Sequence, residues 1–368
     1  MPRSYWLLKI DGNDVTNNFD PVMISLKIKD TEGGKSDSLE AELDDTSGQI
    51  ELPRTGATIY AEIGWVGGGC ITFDGKTDEP HSRGSRGGGQ TLSLSAKSAD
   101  QNSTAKQKAQ RHKDNASFGD VAQEWGQQAG LDVKVDASLT QIQRPYWDMS
   151  HESFYGWGAR IACELGATFK VSGGTAIFVA RGSGESAGGA ALTTVNASRP
   201  GNIINWDMTP VFDANKYASH KARWYDRKQA KWQEEEVTTD DSDGANASLR
   251  EHYKHGSQDR AKTKAQSNKS ETDRKKGGGT ILIDGEPAAR SQAPCEVSGL
   301  RPGIDGTYKI TDAEHTRHRK DGYTTQMTLE QPSGDAGTDK RKKAKSASGF
   351  TSSSNTQVPG NSGPSNGG

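Results

Sequence analysis

Several groups of side chains in this sequence have types and spacings that could do chemistry. Gly75-Lys76-Thr77 has the ending of a phosphate-binding loop, whose backbone N–H groups and lysine cradle a nucleotide. The leading glycine of such a loop would fall at position 70, which is Cys70, and Gly69 is one residue out of place. Ile71 and Phe73 alternate as in a strand, and Pro80 obstructs the helix whose N-terminus should meet the phosphate. The tripeptide therefore reads as a β-turn. Asp240-Asp241-Ser242-Asp243-Gly244 is similar to a calcium loop, but Gly244 at its sixth position puts Arg250 where a bidentate Glu is needed. It reads as an acidic turn.

Metal, acid–base and nucleophilic chemistry fare no better. His252/His255 and His315/His318 are spaced i, i+3 with no HExxH and no third ligand nearby, which favours surface histidines. Glu234-Glu235-Glu236 offers carboxylates, but neighbours on a strand point to opposite faces and form no acid–base pair. Cys163 sits among apolar helix positions as a core residue does. Cys70, Cys163 and Cys295 lack CxxC spacing and read as reduced structural thiols, with a bridge between subunits as the alternative. Trp147, Trp157, Trp224 and Trp232 could serve as sugar platforms, although Trp157 lies on a core stripe. The basic run Lys340–Lys345 could touch nucleic acid or an acidic protein face, or simply be solvated. No catalytic, cofactor-binding or metal residue is nominated.

The elements around these residues are mostly strands. Ile24–Lys29 and Leu39–Leu43 alternate strictly, as do Ala57–Trp65, Ile71/Phe73 and Leu92/Leu94/Ala96, with glycine-rich turns between them. The pattern then changes. Ser117-Phe118-Gly119-Asp120 has the form of a capping box with Asp in place of Glu, followed by Val121, Ala122, Trp125 and Ala129 at helical spacing. A second helix is expected from near Ser150 to Gly166, and then a hairpin turning at Gly173-Gly174. Gly182–Gly189 reads as a loop. Further strands are expected at Ile203–Met208, Tyr217–Tyr225, Trp232–Val237, Thr280–Ile283, Cys295–Val297, Tyr308–Thr311 and Tyr323–Leu329. Leu249, Tyr253, Ala261 and Ala265 suggest a surface helix over 249–276, with a solvated charged loop as the alternative.

Composition narrows the class. Hydrophobic residues make up 31% of the 368, so core is scarce and contacts between subunits would add buried area. No apolar run approaches a membrane span, and the N-terminus has no signal-peptide core. Charge is nearly balanced, 46 basic against 48 acidic, which excludes the basic body of a general nucleic-acid binder.

The order of two motif groups carries a family resemblance. The first is Ala129-Gly130-Leu131, Glu152-Ser153 and Arg160-Ile161-Ala162-Cys163-Glu164-Leu165-Gly166-Ala167-Thr168-Phe169. The second is Gly299-Leu300-Arg301-Pro302-Gly303-Ile304-Asp305-Gly306-Thr307-Tyr308, then His315 and Gly322-Tyr323-Thr324-Thr325. Over residues 5–331 the chain resembles the late control D protein family of tailed bacteriophages. It departs from that family at Phe154, where an Asp commonly follows the Glu-Ser pair.

The resemblance implies an α+β, mainly β fold. Residues 1–100 would form a tail-tube-like β-barrel, 101–195 an α+β module, and 196–331 a second barrel with a helical excursion at 249–276. Residues 332–368 would be a flexible tail. It also implies a structural, non-enzymatic baseplate hub of a contractile tail, without cofactors. Such a hub is a homotrimer that joins the sixfold tail tube to the threefold central spike and contacts other baseplate proteins. DNA would pass through its channel without specific binding. It would be made in the host bacterial cytoplasm and reside in the virion, with no membrane insertion. Two alternatives remain open: a peptidoglycan-binding or -hydrolysing tail protein, and the hub of a related contractile injection system.

Overall fold

Strict alternation in the first hundred residues places Leu26 and Ile28 on one face of the strand Met23–Thr31, opposite Ala41 and Leu39 of Ser38–Asp44. Burial of that face against the other early strands builds the first core. A computed structural model describes residues 3–33, 36–87, 89–99, 103–184, 190–209, 217–239, 245–334 and 336. Among these the chain is mainly β, as expected.

One sheet of 14 strands organises the chain. From one end it runs Ile203–Thr209, Gly278–Asp284, Gly322–Ser333, Gly306–His318, Met23–Thr31 and Ser38–Asp44. It continues through Gly89–Lys97, Cys70–Thr77, Thr58–Trp65, Ser4–Ile10 and Asn13–Asp14. Early and late regions meet where Gly306–His318 pairs antiparallel with Met23–Thr31, from Asp312↔Thr31 to His318↔Ser25. Val195–Ser198 lies parallel to Pro294–Ser298, which pairs with the first half of Gly306–His318. A second core, from Val195 to Ala336, sits under the late strands. Among the described residues, strand pairing closes neither region into a barrel; the regions share one sheet.

The middle segment has its own core. Ser117 caps the helix Phe118–Gln128 by accepting from the Asp120 N–H at 3.2 Å. Its hydroxyl donates to the Asp120 carboxylate at 2.6 Å, the shorter acidic side chain bonding the cap's hydroxyl where Glu would reach its backbone. The second helix is Phe154–Leu165, capped by Ser153. It starts later than expected from Ser150, because that residue belongs to the strand Gln143–Glu152. That strand pairs with Ala109–Ser117 in a two-stranded ribbon. Ala167–Ser172 and Thr175–Ala180 form the expected hairpin, with Gly173 and Gly174 at φ +54° and +77°, values a turn of this kind requires at both central residues. Asp132–Val135 adds a parallel strand beside Thr175–Ala180.

The expected helix over 249–276 is corrected. Ser248–His255 is a strand lying parallel to Ser219–Asp226, and only Gln258–Arg274 is helical. Ladder pairing with a distant strand outweighed the i+4 recurrence of Leu249 and Tyr253, whereas Ala261 and Ala265 do form the buried stripe of the helix, against Ala222. Lys231–Thr238 completes this three-stranded sheet. Gly75-Lys76-Thr77 is neither a phosphate loop nor a turn; it ends the strand Cys70–Thr77, with the Thr77 hydroxyl donating to the Arg54 carbonyl at 2.8 Å. The last strand runs on to Ser333, and Ala336 is buried in the second core. The acidic turn at 240–244, part of the 182–189 loop, and residues 337–368 with their basic run lie outside the described residues.

Candidate functional site

Of the motif residues that carry the family resemblance, the second group, Gly299 to Thr325, leads into the joint between the early and late regions. The Asp305 carboxylate accepts from the Leu300 and Arg301 N–H groups at 2.9 and 3.2 Å, closing the turn that begins at Gly299. Gly299 has φ +80°, and a Cβ there would lie 1.8 Å from the Arg199 carbonyl oxygen, so no other residue fits. Tyr308 is buried, its hydroxyl donating to the Ile304 carbonyl at 2.7 Å. These residues fold the approach to the long strand that joins the two regions.

His315 and Tyr323 then bind the regions together. Tyr323 packs in the early core, its ring 5.3 Å from that of Trp65, while the Trp65 indole N–H donates to the Gly285 carbonyl at 2.8 Å. His315 is fully buried, not a surface histidine, because its strand position faces inward at the joint. Burial pulls it down to about 4. The neutral ring donates from Nε2 to the Ala289 carbonyl at 2.9 Å and accepts at Nδ1 from the Tyr323 hydroxyl at 2.8 Å. Since its folded value lies below the ordinary 6.5, stability is retained above that pH and lost as pH falls through about 4. A His315→Gln chain cannot take up this proton. It is expected to lose less stability than the native chain between neutral and mildly acid pH, measured by urea unfolding.

The middle segment is attached by ionic contacts. Glu164 receives Arg144 at 2.9 Å and both Arg160 and Arg260 at 3.2 Å. Burial opposes its charge, yet the guanidinium groups hold its carboxyl below the usual range. Arg260 belongs to Gln258–Arg274, whose Ser267 hydroxyl also donates to the Cys163 carbonyl at 2.9 Å. Elsewhere Lys170 Nζ lies 2.7 Å from Asp30 and 2.8 Å from Asp37, and the Ser291 hydroxyl donates to Asp30 at 2.5 Å. A cavity of about 350 Å³ opens beside this cluster. Asp30 on the apolar face of its strand was the available sign, since it follows Leu26 and Ile28 at the same parity.

The other chemical candidates are dispersed. His252 and His255 lie on a strand, and among the described residues no group of three His, Cys, Asp or Glu could hold a metal ion. Glu234 faces Arg250 and Glu236 faces Lys221, at 3.0 and 3.1 Å, while Glu235 accepts from Gln258. Trp147 and Trp157 are buried and unavailable as sugar platforms; Trp224 is half-buried, and only Trp232 of the four is exposed, with the Lys254 ammonium 4.8 Å above its ring. The three thiols are free, and burial pushes Cys295 up to about 12.

Comparison with known proteins gives this arrangement its context. No family model matches the chain. It is 30% identical over 234 residues to a probable baseplate hub protein of Escherichia phage 186, covering 63% of this chain and 59% of the relative. It is 28% identical over 228 residues to the probable baseplate hub protein of Escherichia phage P2, covering 61% and 57%. The match thus spans less than two thirds of either relative. Its fold is similar to that of the 43 kDa tail protein of prophage MuSo2 from Shewanella oneidensis, with TM-score 0.68 and 14% identity over 89% of this chain and 98% of that one. It is also similar to the E. coli c3393 protein, a component of the type VI secretion system, with TM-score 0.51 and 10% identity over 89% and 77%. By sequence, the chain is a homologue of the probable baseplate hub proteins of phages 186 and P2.

Proposed function

We propose that the chain is a structural baseplate hub subunit of a contractile phage tail or a related injection system, and that it works as a homotrimer without catalysis. The observation that carries this reading is the joint itself. Two β regions of one chain are held edge to edge by strand pairing, with Tyr323 of the late region sunk in the early core. Three such chains present six β regions around one axis, which is what a ring needs to sit on a sixfold tube while keeping threefold symmetry toward a spike. Each region would act as one tube-like β unit of the ring, and DNA would pass through the ring without specific binding. Tail tube, central spike and other baseplate proteins are the partners, and the virion tail is the location. The likeness to hub proteins and to a type VI component supports both settings.

The test is mass and symmetry. Native mass spectrometry at assembly-like concentration is expected to give a species of about 118 kDa, three times the 39.5 kDa chain. Electron microscopy of that species should place the two β regions at alternating positions about 60° apart around the axis. A monomer that persists with the spike protein present, or regions stacked along the axis, would overturn the adaptor reading.

A further inference from the structure

Lys170 stands where three parts of the chain meet. It comes from the strand Ala167–Ser172 of the middle segment, Asp30 and Asp37 from the early region, and Ser291 from the late one. Two carboxylates share one ammonium, and the three side chains are only 18%, 11% and 16% exposed. We propose that this cluster is a proton-operated clamp: uptake of one proton by the Asp30–Asp37 pair tightens the seating of the middle segment on the sheet, and its release loosens it.

The geometry leaves the charge unbalanced. Lys170 neutralises one carboxylate, and the surroundings must carry the other. Among the groups lining the cavity, Asp74 from Cys70–Thr77 and Glu32 are acidic, and Arg290 is the basic one besides Lys170. Glu32 is engaged elsewhere, by Lys309 at 3.4 Å and Arg274 at 3.7 Å. His315, from the joint, is neutral. The excess negative charge therefore stays in a half-closed site. Burial, with Asp30 adding to it and Lys170 opposing, pushes Asp37 up to about 6, while Asp30 remains ionised against Lys170. The proton goes to Asp37. It comes from solvent, with which the neighbouring cavity offers contact. The Thr31 N–H donates to Asp37 at 3.2 Å, a bond that an amide oxygen would keep.

The sign follows from the folded value lying above the ordinary 3.8. Stability from this group is present at low pH and lost as pH rises through about 6. Asp37→Asn fixes the tightened state. The measurement is amide hydrogen exchange of full-length native and Asp37→Asn chains at about pH 5 and about pH 8. Protection of Ala167–Ser172 and Thr175–Ala180 in the variant, relative to native, is expected to rise roughly tenfold between the two pH values. His315 titrates with the opposite sign, but it is present in both chains and cancels from the ratio. A ratio that does not change with pH overturns the clamp. So does one that rises equally in the distant strand Thr58–Trp65, because the effect would then be global. A second measurement needs no variant to fold: in the native chain labelled with ¹³C at Asp carboxyls, one carboxyl should titrate near 6, and its absence overturns the proposal.

Discussion

Trp157→Ala is expected to lower unfolding free energy by about 3–5 kcal/mol, read as a drop in melting temperature on the order of 10 °C. The side chain has no exposed surface. Its ring lies 5.0 Å from Trp125, 5.5 Å from Phe154 and 6.2 Å from both Phe118 and Phe178. Removing it leaves a cavity at the centre of the middle segment, bounded by rings from both helices and the hairpin, which cannot collapse onto an alanine together. Among the described residues the indole N–H has no hydrogen-bond partner. Trp157→Phe therefore loses packing but also removes a buried orphan donor, and its loss should be less than half that of the alanine chain. Equal losses in the two variants, followed by circular dichroism on heating, would show that cavity volume does not control the site.

What could be read in the sequence were the elements whose pattern is set by one buried face. Leu26/Ile28, Leu39/Ala41/Leu43 and Leu92/Leu94/Ala96 declare their strands because one parity is apolar. Ser117, Ser153 and Gly166 mark helix ends through local hydrogen bonding and backbone conformation. The ribbon strand Ala109–Ser117 is different. Gln110, Arg111, His112, Lys113 and Asp114 give it no apolar parity, and only pairing with Gln143–Glu152 makes it a strand. The same holds for Ser248–His255, whose parallel partner comes earlier in the chain. Such strands are specified by tertiary hydrogen bonding, which a local window does not contain.

The joint was legible as a motif before its purpose was. Gly299, Asp305, Tyr308, His315 and Tyr323 stood in order in the sequence, yet their spacing alone gave no reason for the order. The reason is mechanical: turn, strand entry, and a buried His–Tyr contact that reaches the early core. The i, i+3 spacing of His315 and His318 suggests a surface pair only on a helix; on a strand it sends the two to opposite faces, and His315 faces inward. The Lys170 cluster was out of reach for another reason. Its carboxylate partner Asp30 lies 140 residues away, and polar residues on two strands say nothing separately about meeting.

Lys170→Met is expected to cost about 3–5 kcal/mol near neutral pH, because it strands two buried carboxylates without their ammonium. The loss should be pH-dependent in a defined direction. Without Lys170, both carboxylates have raised affinity for protons in the folded state, so the variant recovers stability as pH falls toward their range and loses it as pH rises. Urea unfolding of native and variant chains at about pH 7.5 and about pH 5 separates this from a packing defect, which would cost the same at both. Neutralising the partners completes the argument. In the triple variant Lys170→Met, Asp30→Asn, Asp37→Asn the charges are gone, the Ser291 hydroxyl keeps an amide oxygen to donate to, and the Thr31 N–H keeps its acceptor. Replacing a whole buried ion cluster by neutral groups of similar size is often nearly neutral in stability, while removing one member is not. The triple variant should therefore recover most of the loss and show little pH dependence from this site. If it remains as unstable as Lys170→Met alone, the lysine stem's packing, and not its charge, holds the middle segment to the sheet.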